Sequence, residues 1–424
     1  MNTWFRSLDE WLAWQETLHP SKIELGLDRV RAVWCNLSKD PLPFRVITVG
    51  GTNGKGSSVA MLESILRAGN YRVGAYTSPH LLRYKERIRV NGQEAEDRLI
   101  CDAFERVDQA RGEVSLTYFE FGTLAALLIF QEADLDVAIL EVGMGGRLDA
   151  VNILDADVAV VTSIGIDHVE WLGGDRETIG LEKAGIFRSD RFAVCGDPAP
   201  PHSLVEYAHR VHARLYCLGT DFGYSVQEGS WTWHGLGIQR SALPMPALRG
   251  KIQLQNAAAV VAALQLLASE LPLTQDDVRR GLLATELPGR FQVVPGEPLF
   301  ILDVAHNPDG ARVLADNLSA HACRGRTLAV VGMLKDKDVE KVARTLDPTV
   351  DVWYAAGLQG SSDRGMDGEG LAVRLRNARL RGMVRAYNTV AEACAQAAAE
   401  ARPGDRVIVF GSFYTVADAL GQCV

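Results

Sequence analysis

The sequence predicts an α/β protein in two parts, each a mostly parallel sheet covered by helices. Three observations lead there. Apolar runs of strand length alternate with stretches of helical period along most of the chain, the pattern of parallel strands joined by crossover helices. A glycine-rich turn holding one lysine, Gly50-Gly51-Thr52-Asn53-Gly54-Lys55-Gly56, separates the first such strand from its helix. A Gly- and Pro-rich break, LPGRFQVVPGEP at 287–298, interrupts the alternation, which then restarts. The expected layout is a P-loop-type N-terminal domain over residues 1–290 and a smaller Rossmann-like α/β domain over 291–424 with no phosphate loop of its own.

Bulk properties narrow the function. A chain of 424 residues exceeds one ordinary core. Its 47% hydrophobic and 23% charged content is that of a soluble globular protein. The net charge of −9 argues against a general nucleic-acid binder, which needs a basic face. No stretch reaches the ~18 apolar residues of a membrane span. The N-terminus, MNTWFRSLDEW, carries charges where a signal peptide has its apolar region. The cysteines, at 35, 101, 195, 217, 323, 394 and 423, are scattered and unpatterned, and read as reduced thiols in a cytosol.

In chain order, residues 1–44 look helical, with Leu8, Trp11, Leu12 and Trp14 on one side. His19-Pro20 breaks this stretch, and 21–35 reads as a covering helix. Val46–Val49 is a buried strand. Strand, glycine turn and helix together aim backbone N–H groups at a phosphate. Lys55 would reach the outer phosphates, and Ser57 or Ser58 would ligate Mg²⁺. Two positions depart from the general phosphate-loop pattern: Val49 stands where it has Gly, and Gly56 intervenes between Lys55 and Ser57.

The next strand, 71–76, ends in Thr77-Ser78-Pro79-His80. LLRYKERIRVNGQ is basic and holds an Asn-Gly turn, so it is a loop or a short hairpin. Helices follow at 97–111 and 119–132. LDVAILEV (135–142) is a central strand ending in Glu141, before a glycine cluster, where a carboxylate suits Mg²⁺. The strand in 156–165 leads to Asp167 and His168. These strand ends form the edge where doubly wound sheets bind ligands. Lys183 lies on a helix among Ile179, Leu181, Ala184, Ile186 and Phe187, which predicts partial burial. A buried lysine must be paired, deprotonated or modified.

SWTWHG reads as a small β-hairpin at an edge, and 254–268 as an Ala-rich helix. Beyond the break, strands are expected in LFILDVAH, TLAVVGML, VDVWYAAG, MVRAYN and RVIVFGS. Helices are expected at 308–320, 337–346, 368–378 and 389–401. Asp303 and His306 end the first of these strands.

GTNGKGS, TSPHL, SLTYFE, LEVGMGGRLDA, SIGIDH, EKAGIF, LPGRFQ, DVAHNP and GSFYTV occur in this order over almost the whole chain. Together they resemble the bacterial folylpolyglutamate synthases, in the bifunctional form that is also dihydrofolate synthase, within the Mur ligase superfamily. GTNGK is shared with the peptidoglycan ligases. SLTYFE, GGRLDA and DVAHNP are far more specific to the folate branch. The resemblance makes the N-terminal domain an ATPase and the whole an ATP-dependent ligase. ATP phosphorylates a carboxylate, L-glutamate's amine attacks the acyl phosphate, and phosphate leaves a tetrahedral intermediate.

By this resemblance Thr52, Asn53, Gly54, Lys55, Gly56 and Ser57 hold the ATP phosphates, and Ser78, Glu141 and His168 bind two Mg²⁺ ions. Lys183 matches a lysine carbamylated by CO₂. Asn256 and Arg290 match nucleotide contacts, and Asp303 and His306 the C-terminal domain's contribution. The pterin falls to Glu24-Leu25-Gly26-Leu27, Thr117-Tyr118-Phe119-Glu120 and Leu148-Asp149-Ala150. Phe119 suits stacking on a flat ring, and Asp149 suits accepting from pterin N–H groups.

Ile252 departs from the family, where many relatives carry His before Gln253. The implied substrates are dihydropteroate, tetrahydrofolate, L-glutamate and ATP, used by a cytoplasmic monomer. A polyglutamate synthase alone is the alternative. A peptidoglycan-precursor ligase would need a uridine-diphosphate pocket, and no feature favours one. A nucleotide-driven switch lacks support in any Asn-Lys-x-Asp base-recognition signature.

Overall fold

The structure is a computed structural model and describes residues 7–39, 41–321 and 323–422. The first six residues of the expected N-terminal helical region and Cys423 lie outside them. Contacts divide the chain into two units. One holds the described residues through Ala247 together with Leu254–Thr285, and the other holds Leu248–Gln253 and the residues from Glu286 onward.

In the first unit the strands are β1 (Arg45–Gly50), β2 (Val73–Tyr76), β3 (Ile88–Val90), β4 (Gln93–Glu94), β5 (Val137–Glu141), β6 (Val158–Val161), β7 (Phe192–Cys195) and β8 (Arg214–Cys217). They form one sheet in the order β4-β3-β2-β5-β1-β6-β7-β8. From β2 to β8 all neighbours are parallel, and β3 runs antiparallel to β2. The central strands β5 and β6 are buried along their whole length, and β1 from Val46 onward, as apolar runs covered on both faces must be. The chain passes from β1 to β2, β5 fills the space between them, and β6 lies on the far side of β1. This reversal opens a crevice at the carboxyl ends of β1, β5 and β6. Register then sets Val49 beside Glu141 and Gly50 beside Val161.

The basic LLRYKERIRVNGQ stretch resolves into a short 3-10 turn, Tyr84–Arg87, and a hairpin of β3 and β4. Asn91 and Gly92 both adopt positive φ (53° and 76°), the requirement of a two-residue type I′ turn. Helices Asp97–Arg111 and Tyr118–Glu132 lie where the periodicity places them. Helix Leu8–Leu18 lays Trp11 against Phe104 and Phe121, with ring centroids 5.9 and 6.3 Å apart.

SWTWHG is not a two-stranded hairpin at an edge. It is β10 (Ser230–Gly235), the middle strand of an antiparallel sheet with β9 (Phe222–Gln227) and β11 (Ile238–Pro244). Trp231 and Trp233 are both fully buried, and Trp233 Nε1 donates to the Ala258 carbonyl at 3.0 Å on helix Lys251–Leu266. β11 is mostly exposed, so its polar residues carry no apolar signal.

The second unit contains β12 (Gln292–Val294), β13 (Leu299–Asp303), β14 (Thr327–Val331), β15 (Val352–Ala356), β16 (Met383–Tyr387) and β17 (Arg406–Phe410), in the order β12-β13-β17-β14-β15-β16. The five expected strands are parallel. β12 is an addition, antiparallel to β13 and set inside the Gly/Pro-rich break, where three residues are too few to show a period. Helices Pro308–Ala320, Val339–Leu346, Gly368–Asn377 and Val390–Glu400 match expectation, and a further helix, Phe413–Gln422, was not foreseen. Among the described residues no helix is long and apolar enough to cross a membrane.

Candidate active site

The glycine turn is held open by the loop after β6. Thr52 N–H donates to the Ser163 carbonyl at 2.7 Å, and Asn53 N–H to Ser163 Oγ at 3.1 Å. Thr162 Oγ1 and Ser163 Oγ return the bond to the Asn53 carbonyl at 2.7 and 2.9 Å. Thr52 Oγ1 bridges the Gly165 carbonyl and N–H, each at 3.0 Å. Gly54 has φ +89°, and a Cβ there would fall 2.6 Å from Asn256 Oδ1, so only glycine fits both the turn and its neighbour. Gly54 caps helix Lys55–Ala68, whose first turn carries Gly56 and the buried Ser57. Lys55 folds back, with Nζ 3.1 Å from the Gly51 carbonyl oxygen and 3.3 Å from that of Thr52.

Lys183 reaches the same turn from the end of helix Arg176–Ala184. It is fully rather than partially buried, at 3% exposure, and its Nζ donates to Gly51 at 3.0 Å. Burial, and then repulsion from Lys55, bring its pKa down to about 7. The helix end is fixed by the GGRLDA turn. Arg147 N–H donates to the Glu182 carbonyl at 2.9 Å, and its guanidinium pairs with the Glu182 carboxylate at 2.8 Å. Asn152 Nδ2 donates to the carbonyls of both Arg147 and Gly185, at 2.9 and 3.1 Å.

The structure brings Glu141 and Ser78 together: Ser78 N–H donates to the buried Glu141 carboxylate at 3.2 Å. A carboxylate with a serine hydroxyl would make an oxygen donor set that suits a hard divalent cation. His168 stands in a left-handed turn (φ 51°) before the short helix Val169–Leu172, its N–H bonded to Asp167 Oδ1 at 2.8 Å. Among the described residues there is no metal-binding group of three His, Cys, Asp or Glu side chains. A metal here would therefore draw on serine, one carboxylate and one imidazole.

The three expected pterin segments are tied to one another. Gly26 N–H donates to the Leu148 carbonyl at 3.3 Å. Thr117 and Glu120 form a capping box on helix Tyr118–Glu132. Arg29 bridges Glu120, at 3.1 Å, to Glu24, and His19 Nε2 bonds Glu24 at 2.9 Å. The carboxylates of Glu24 and Glu120 thus serve the scaffold. Leu25 and Leu27 are half-buried and Ala150 is buried.

Phe119 lies over Gly143, where a Cβ would come within 2.7 Å of its ring, and 6.0 Å from the Tyr76 ring centroid. Asp149 is buried, accepting from Met144 N–H at 2.8 Å and Val151 N–H at 3.2 Å. Burial raises its pKa to about 7 against the pull of those N–H groups.

In the second unit Asp303 accepts from Phe291 N–H at 2.9 Å and Ala305 N–H at 2.8 Å. Burial holds its carboxyl above the usual range while nearby Arg290 opposes the shift. Arg290 stacks over Phe413 at 5.1 Å, and His306 Nδ1 bonds the Val304 carbonyl at 2.9 Å. Sequence reasoning missed Phe413, Ser163 and Asn152. GSFYTV and SIGIDH were the signals that contained the first two.

Residues 49–264 match the Mur ligase middle domain, and residues 289–413 the Mur ligase glutamate ligase domain. The dihydrofolate synthase/folylpolyglutamate synthase of Escherichia coli (strain K12) is 47% identical over 414 residues, covering 97% of this chain and 94% of its own. The chain belongs to the dihydrofolate synthase/folylpolyglutamate synthase family of Mur ligases. Among solved members of that family, E. coli FolC in complex with DHPP and ADP has a TM-score of 0.92 at 46% identity, over 98% of this chain and 97% of that one. A bifunctional folylpolyglutamate synthase/dihydrofolate synthase with Mn, AMPPNP and L-glutamate bound has a TM-score of 0.89 at 46% identity, over 98% of both chains. The α/β architecture read from the sequence is that of the family.

Proposed function

We propose that this chain joins L-glutamate to dihydropteroate, giving dihydrofolate, and to tetrahydrofolate, extending its glutamate tail, with Mg·ATP as the energy source. The observation that carries the reading is the convergence of Lys55 and Lys183 on the Gly51 carbonyl, in the same unit as the Phe119 and Asp149 pocket. A phosphate cradle and a ring pocket in one unit are what activation of a pterin-bearing carboxylate requires. The relatives named above support the same reading.

The substrate carboxylate oxygen attacks the γ-phosphorus and ADP departs, leaving an acyl phosphate. The glutamate amine then attacks the acyl carbon, and the tetrahedral intermediate expels phosphate. Little covalent help is needed beyond positioning and charge compensation. The N–H groups of the Thr52–Gly56 turn and Lys55 hold the phosphates, and Ser57 adds a hydroxyl. Divalent cations at Glu141, Ser78 and His168 would neutralise phosphate charge. The buried Lys183 amine, its pKa lowered to about 7, would add CO₂ and release a proton, and the carbamate anion would supply a further oxygen donor for a cation.

Asn256 and Arg290 contact the nucleotide, and Asp303 and His306 supply the C-terminal share. Phe119 stacks on the pterin and Asp149 accepts from its N–H groups. The six described cysteines are all free, in keeping with a cytoplasmic enzyme. It acts on small molecules as a monomer. Phosphate release with dihydropteroate and with tetrahydrofolate, glutamate present, tests this. Release with both is expected. Release with tetrahydrofolate alone would leave a polyglutamate synthase, and release with neither would overturn the reading.

A further inference from the structure

Arg87 is a half-buried arginine of the first unit for which the fold supplies no carboxylate. Other half-buried arginines of the unit have a carboxylate: Arg89 pairs with Glu63 at 2.8 Å, Arg29 with Glu120 at 3.1 Å and Arg111 with Asp108 at 2.6 Å. Among the described residues Arg87 forms no ion pair. The adjacent Glu86 cannot serve it, because that carboxylate accepts the N–H groups of Leu81, Leu82 and Arg83. The guanidinium is nevertheless held in place. Nε donates to His80 Nδ1 at 2.8 Å, and the group lies 5.3 Å from the Tyr84 ring centroid and 5.4 Å from that of Tyr118. The two rings meet edge-on at 5.8 Å. Beside them the buried Tyr84 hydroxyl has no hydrogen-bond partner among the described residues. A guanidinium held by His80, by the buried Tyr76 hydroxyl and by two rings, with no counterion, is poised for an anion, and its planar fork matches a carboxylate.

Its location says which anion. On one side Arg87 bonds His80, two residues after Ser78, whose N–H is on the Glu141 carboxylate. On the other it packs on Tyr118, next to Phe119. It therefore ties the loop that carries Ser78 to the start of the helix that carries Phe119. We propose that Arg87 is the counterion of the substrate carboxylate that ATP phosphorylates, holding the benzoate end of dihydropteroate while Phe119 and Asp149 hold the pterin. This rests on the function proposed above and adds a substrate contact to it.

The test is equilibrium binding of pteroate and of its carboxamide, identical except for the charge, to the wild-type chain, Arg87→Gln and Arg87→Lys, with melting temperature as the check on folding. The wild type is expected to prefer pteroate roughly tenfold or more, the range of a charge-assisted hydrogen bond. Arg87→Gln loses that preference while binding the carboxamide as the wild type does. Arg87→Lys keeps part of it, because charge remains and the planar fork is lost. Equal weakening of both ligands would mean that Arg87 reads the pterin or only supports the fold, and would overturn the assignment, as would an unchanged preference in folded Arg87→Gln. A wild-type chain that binds neither ligand would overturn the proposed function, and this inference with it.

Discussion

Lys183 and Lys55 donate to a single acceptor, the Gly51 carbonyl oxygen, at 3.0 and 3.1 Å. Two ammonium groups cannot share one carbonyl in a buried turn without repulsion. Burial and that repulsion account for the depressed Lys183 pKa, about 7. A folded-state pKa below the unfolded one makes the neutral amine the favoured buried form. The unmodified lysine's contribution to stability is therefore present at high pH and is lost as pH falls through about 7.

A neutral amine is also the form that adds CO₂. The wild-type chain in ¹³C-bicarbonate at pH 8 should show a carbamate carbonyl signal that Lys183→Ala lacks. Small carboxylates should restore part of the activity of Lys183→Ala. A wild-type chain with no carbamate signal and a variant without rescue would show that the buried amine acts unmodified.

Lys55 sits on helix Lys55–Ala68 with its Nζ on backbone carbonyls alone. On the function proposed above, replacing it with Ala removes a phosphate ligand but no packing group. Glutamate-dependent phosphate release should fall by at least a hundredfold (~3 kcal/mol of transition-state charge stabilisation), with a melting temperature within a few degrees of wild type. Retained phosphate release in a folded variant would take the lysine out of the mechanism.

The parts of the site that were legible in the sequence are those that use local pattern. β1, β5 and β6 are continuous apolar runs, so their polar ends stood out, and with them Lys55, Glu141 and His168. Ser163 did not stand out, because it acts on Asn53 across 110 positions by hydrogen bonds that leave no local signal. Arg87 lay in a basic stretch indistinguishable from a solvated face, and its burial against His80, Tyr84 and Tyr118 without a carboxylate distinguishes it. β12 and β11 were lost for want of apolar period, one too short and the other too exposed.

Asp149 offers a test that separates substrate recognition from stability. Its pKa is raised to about 7 by burial, above the ~3.9 of an unfolded aspartate. A carboxyl whose pKa is raised on folding stabilises the protein fully below the unfolded value, and that contribution is lost as pH rises through 7. Asp149→Asn stays neutral, so the melting temperature of the variant should depend less on pH between 4 and 7. Asp149→Ala should impair dihydropteroate use more than tetrahydrofolate extension. Equal loss of both activities would contradict the pterin assignment.

Asn152 links the turn that carries Leu148 and Asp149 to the lysine helix, because one side-chain amide spans the Arg147 and Gly185 carbonyls. Its own Oδ1 accepts from Arg188 at 2.8 Å, so the residue is engaged on every side. Asn152→Ala would leave these buried partners unsatisfied, at a cost of about 1–3 kcal/mol. The effect on function should be larger than that on folding, because Gly185 ends the helix that aims Lys183 at Gly51. In Asn152→Ala, loss of the carbamate signal while the chain is still folded is the expected result. A variant that is merely less stable, with its carbamate signal and turnover intact, would show that the link supports the fold without positioning the lysine.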